Sequence, residues 1–194
     1  MNAAGEGALP PLDESDRREL LRIARLTLDE WLRNGSGPAG STHRAPLLAR
    51  ASAFVSIEVD GRLRGCVGRL EPDGPLYRTV IDLVVSAATA DPRFEPVRVD
   101  ELDLSRIEIS VLSERKRIAD FSSLAIGQDG LVITRGARRG LLLPKVAVEH
   151  AWDVETFLAE TCRKAGLPGA AWRETETVVE RFSAEVFAEP RRRD

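Results

Sequence analysis

Cys66 lies in the run Leu63-Arg64-Gly65-Cys66-Val67-Gly68, with a guanidinium two residues before it and glycines on both sides. A neighbouring guanidinium favours the thiolate, the form of cysteine that attacks electrophiles or binds metal. Glycines inside a strand mark a bulge or the close approach of another backbone or a ligand. Cys66 is therefore a candidate nucleophile, and Arg64, Gly65 and Gly68 are candidate ligand- or partner-binding positions. A second reading is open on the same residues, because free cysteine also behaves as a small hydrophobe where a strand meets a helix. The other run of interest is Asp91-Pro92-Arg93-Phe94. Its proline ends a helix and holds an acid and an arginine in one rigid turn. Asp91 and Arg93 join the candidate binding set, with a helix stop closed by their own ion pair as the plain alternative.

Little else in the chain offers chemistry. Cys162 falls on the apolar stripe of a helical segment and reads as core. His43 and His150 have no ligand-type neighbours at metal-site spacing, and two histidines with two distant cysteines make no zinc pattern, so neither metal nor cofactor is expected. Serine-hydrolase elbows, phosphate loops and His-Glu-x-x-His are all missing from the sequence. Two cysteines in 194 residues give no disulfide framework and fit a reducing cytoplasm. The net charge of −3 supplies no overall positive field for phosphates, so nucleic acid is not expected as a partner. No apolar run approaches the ~20 residues of a membrane helix, and the first residues lack the pattern of a secretory signal. The expectation is a soluble cytoplasmic protein with no membrane contact.

The elements that must carry these residues are legible from periodicity. Residues 1–15 read as a flexible lead-in, 16–189 as a single folded domain and 190–194 as a basic tail. Asp16 and Glu19 suit a capping box, followed by a helix to about Arg33 with Leu20, Ile23, Ala24, Leu28 and Trp31 at helical spacing. Ala53 to Val59 and Arg62 to Leu70 read as two strands joined at Asp60-Gly61. A second helix follows Pro75 and stops at Asp91-Pro92. Arg106 to Leu112 alternates as a strand, Gly127 to Gly140 begins a hairpin region, and Lys145 to His150 reads as a short helical turn. Asp153 suits the N-cap of a helix reaching Ala165 and ended by Gly166, and Thr177 to Glu189 reads as a closing strand. Hairpins and helices in mixed order predict an α+β fold, an antiparallel or mixed β-sheet packed with helices.

Side-chain parity predicts where Cys66 points. If Val55, Ile57 and Val59 share a core with Leu63 and Val67, a three-residue loop, Val59-Asp60-Gly61, pairs Glu58 with Arg62 and Ile57 with Leu63. Ser56, Glu58, Arg62, Arg64 and Cys66 then share the opposite, polar face.

The ordered series of motifs resembles the AMMECR family. It comprises Phe54-Val55-Ser56, Leu63 to Gly68, Asp91 to Phe94, Gly127-Gln128-Asp129-Gly130-Leu131 and Arg139 to Ala147. Trp152-Asp153 and Lys164-Ala165-Gly166-Leu167-Pro168 complete it. The match runs from about Asp16 to Glu189, with Val67 where the family pattern usually has isoleucine. The resemblance implies a larger and a smaller lobe, and Leu63–Gly68 as the functional segment. It also implies a role as component A of the AmmeMemoRadiSam system, with Memo-like and radical-SAM proteins as partners. It implies no established reaction. Two functions follow as expectations: an accessory or adaptor module binding a small ligand or partner around Cys66, or an enzyme with Cys66 as nucleophile and Arg93 holding an anionic substrate.

Overall fold

The computed structural model describes residues 11–36 and 40–191. The expected lead-in and basic tail therefore fall mostly outside the described residues. The fold is mixed α+β, as its hairpins and helices predict, and it divides into two compact units. Of the described residues, the larger unit comprises those up to Leu112 together with 185–191; the smaller is Ser113–Ala184.

In the first unit, α1 (Glu14–Asn34) starts earlier than its capping signal suggested. Asp13 is the N-cap, and Asp13 and Asp16 satisfy each other's backbone N–H groups at 3.0 and 2.7 Å. The misplacement is physical: aspartate at the third helical position reaches back as glutamate does, and Leu12 is buried, which pulls the cap toward it. Gly35, with φ of 70°, closes the helix by bonding Trp31. The short α2 (Ala45–Leu48) leads into β1 (Ser52–Val59) and β2 (Arg62–Arg69), then α3 (Leu76–Thr89) and β3 (Ser105–Leu112). Strand β1 lies between β2 and β3, antiparallel to both. Val55 and Ile57 of β1 and Ile107 and Ile109 of β3 pack with Leu20, Leu28, Val80 and Val84 of the two long helices. Burying each of these side chains contributes ~1.5–3 kcal/mol.

In the second unit, β4 (Lys116–Arg117) and β5 (Asp129–Arg135) both pair with β7 (Val178–Ala188), and β6 (Arg138–Leu142) pairs with β5. Between them come α4 (Pro144–Glu149) and α5 (Val154–Lys164), the latter capped by Asp153 through the Thr156 N–H at 2.8 Å. Leu131 and Ile133 pack with Phe157, Leu158, Cys162 and Val179. Cys162 is core, as its helical position predicts. No helix among the described residues is long and apolar enough to cross a membrane.

Candidate functional site

The β1–β2 hairpin turns differently from the parity reading. Val59 pairs with Arg62, so the turn is the two-residue Asp60-Gly61, with φ of 50° and 70°. Both positive values suit the tight turn whose twist matches paired strands. One residue is then extra: the register shifts between Ile57 and Glu58, which pair with Gly65 and Leu63 and leave Arg64 as a bulge. Before the bulge, Leu63 lies beside Glu58 and is 43% exposed, not in the core where parity placed it. Beyond it, Val55 faces Val67 and Ser56 faces Cys66. The bulge resets the parity, so Cys66 still lies on the polar face, but by a different route and in a different register.

Gly65 and Gly68 each have a steric reason. A Cβ on Gly65 would lie 1.9 Å from the Ala87 carbonyl oxygen of α3. On Gly68 it would lie 2.1 Å from the Phe54 ring, which covers that glycine across the strand pair. These two glycines let a helix backbone and an aromatic ring close on the strand around Cys66.

The main chain of Cys66 is gripped from the side. Its N–H donates to Asp91 Oδ2 at 2.9 Å, and its carbonyl accepts from Arg93 Nη2 at 3.0 Å. Asp91 in turn accepts from the Arg93 side chain at 2.9 and 2.7 Å and from the Arg93 N–H at 3.1 Å. The helix-stop ion pair and the binding of the Cys66 strand are thus one arrangement. It offers β2 the acceptor and donor that a neighbouring strand would supply. The Arg93 guanidinium holds the Asp91 carboxyl well below the usual carboxylate range, helped by the Cys66 N–H and opposed by burial. Arg93 is raised in turn, chiefly by Asp91 against the opposing effect of burial, and to a lesser degree by Cys66.

Arg64 has a different job from the one its spacing suggested. Its guanidinium donates to the Glu95 carbonyl at 2.9 Å and to both oxygens of Glu101 at 3.2 and 2.9 Å. It ties the bulge to the chain that follows Asp91, while the guanidinium at Cys66 is that of Arg93. Glu101 is held below the ordinary glutamate range first by Arg64 and next by the Arg98 N–H.

On the polar face, Ser56 Oγ donates to Cys66 Sγ at 3.2 Å. Ser56 also pairs with Glu108 of β3, so Cys66, Ser56 and Glu108 form one cross-strand row. The sequence reading placed Ser56 on this face but passed over Glu108; the alternation of β3 against β1 was the available signal. His43 is exposed and is not among the groups bonded to Cys66. Among the described residues, no group of three or more His, Cys, Asp or Glu side chains is placed to hold a metal ion.

The fold and this site define a class: an α+β protein whose first unit carries a cysteine on an outer strand, gripped through its backbone by an Asp–Arg pair. The chain belongs to the AMMECR1 family, whose model matches residues 21–187. It is similar to a protein of Methanothermobacter thermautotrophicus, 46% identical over 187 residues that cover 92% of this chain and 97% of the relative. Protein PF1979 of Pyrococcus furiosus is 39% identical, covering 88% of this chain and 86% of its own. The crystal structure of the uncharacterized protein PH0010 from Pyrococcus horikoshii matches with a TM-score of 0.83 at 38% identity, covering 89% of this chain and 90% of that one.

Proposed function

We propose that this chain is an accessory component that binds a partner protein or small ligand through the Cys66 surface, working in the cytoplasm with Memo-like and radical-SAM proteins. One observation supports this reading above others: Arg64, Asp91 and Arg93 spend their side chains on main-chain groups and on carboxylates of the same unit. They fix the shape of β2 and present the Cys66 thiol and Ser56 hydroxyl. That is the economy of a display surface. The association with the two partners rests on the family resemblance. The test is capture of recombinant Memo-like and radical-SAM proteins by the purified chain. Cys66→Ala is expected to weaken capture about tenfold or more, ~1.4 kcal/mol, without lowering the melting temperature. Unchanged capture would remove Cys66 from the surface; failure to capture either protein would end the association.

A second reading has an observation of its own. The Cys66–Ser56–Glu108 row sets a carboxylate-bearing residue opposite the serine whose hydroxyl bonds the thiol, and a nearby base is one of the groups that activate a cysteine nucleophile. Alkylation by iodoacetamide separates the two. A Cys66 that reacts in the folded protein no faster than in a short peptide argues for display over catalysis.

A further inference from the structure

The second unit holds a cavity of about 300 Å³ beside the short β4–β7 ladder. In that ladder Lys116 stands directly opposite Arg181, and both line the cavity. Like charges directly opposite each other on paired strands are destabilising. Here neither cation is neutralised closely. The Lys116 ammonium has no ion-pair or hydrogen-bond partner among the described residues. Arg181 Nη1 donates to the Ser123 carbonyl at 3.3 Å and lies 3.9 Å from Asp129. Two carboxylates line the same cavity. Asp129 accepts from the Ala125 N–H at 2.9 Å, and the exposed Glu114 carboxylate has no side-chain partner among the described residues. The lining therefore carries two cations and two carboxylates, incompletely matched to one another, with the cations adjacent. A purely anionic ligand would relieve the cations but meet Glu114 and Asp129. A cation would have the reverse difficulty.

We propose that this cavity is a binding site for a small zwitterion of the amino-acid class, its carboxylate between Lys116 and Arg181 and its ammonium toward Glu114 and Asp129. A carboxylate there accepts charge-assisted hydrogen bonds from both cations, and the guanidinium offers the planar fork that suits two carboxylate oxygens. This site is independent of the Cys66 surface and of the function proposed for it.

The test is a titration of the isotope-labelled full chain with glycine and with L-alanine, following backbone amide shifts at Ser113, Lys116 and Ser183. Acetate and methylammonium serve as the two half-ligands. The expected result is a saturable shift with both amino acids, and acetate binding about tenfold more weakly or worse. Lys116→Ala removes an exposed side chain and leaves the core intact; it is expected to abolish saturation. Glu114→Gln is expected to bring the affinities for glycine and acetate together. Absence of a saturable shift with either amino acid overturns the proposal. So does saturation unaffected by Lys116→Ala, and acetate binding as tightly as glycine overturns the assignment of a zwitterion.

Discussion

The two units meet the same packing problem with the same residue and differ in what they do beside it. In the first, β2 comes so near α3 that only Gly65 fits against the Ala87 carbonyl. In the second, β6 comes so near α5 that a Cβ on Gly140 would lie 2.5 Å from the Ala165 nitrogen and 2.8 Å from the Thr161 carbonyl oxygen. Each unit also has one cysteine near that contact. Cys66 follows Gly65 directly and, by strand alternation, points to the opposite face, beside Ser56. Cys162 is on the helix and is fully buried, where desolvation pushes its thiol upward. Residue type is therefore no guide to role here. The strand places one thiol on a polar face and the helix places the other in a core.

The largest effect should come from the glycines. Gly65→Ala is expected to destabilise the protein by about 3 kcal/mol or more, because the clash is with helix backbone that cannot swing aside. Gly140→Ala should cost somewhat less, since its closest contact is longer; chemical denaturation of both variants checks the order. An equal or smaller loss for Gly65→Ala would break the comparison at its root.

The cysteines come next. Cys162→Ser puts a hydroxyl among Leu131, Phe157 and Leu158 and should cost about 2 kcal/mol. Cys66→Ser should stay within ~0.5 kcal/mol, because its neighbour is already a hydroxyl. Thermal melts of the two single variants measure the difference, and equal losses would mean that Cys66 is core after all.

The smallest effect sharpens the first unit alone. Asp91 is a carboxyl whose folded-state value is depressed, so its contribution is present above the unfolded value, ~3.9, and is lost as pH falls below it. Asp91→Asn should cost about 1.5 kcal/mol at neutral pH, through the weakened grip on Arg93 and the Cys66 N–H. The gap from the parent should narrow below about pH 4. Stability curves against pH read this directly; a gap that is constant from pH 7 to pH 3 would show that the carboxylate's charge is not what holds the strand.

Periodicity and local punctuation revealed most of the elements. The Asp153 cap, the Gly166 stop, both ends of the first hairpin and the alternation of β3 were legible because each is decided within a few residues. The face of Cys66 was legible too, since strand alternation survives a register error of two. The bulge was not. Whether the chain absorbs an extra residue in the turn or at Arg64 depends on Arg64 finding Glu95 and Glu101, which are thirty and more positions away. The grip of Asp91 and Arg93 on Cys66 escaped for the same reason: a turn motif says nothing about which strand lies next to it.

Strand β7 has a consequence for how the chain is made. The first unit contains the residues from Glu185 on, although everything else in it ends at Leu112. Glu189 is bound closely there: its N–H donates to the Ile107 carbonyl at 3.0 Å, its carboxylate accepts from the Ile107 N–H at 2.9 Å, and it pairs with Arg25. During synthesis the second unit has all of its residues before the first does. The first unit, with the Cys66 strand inside it, waits for residues 185–189 before Ile107 and Arg25 gain their bonds to Glu189. A chain cut after Ala184 would thus hold every residue of the small unit and lack part of the large one.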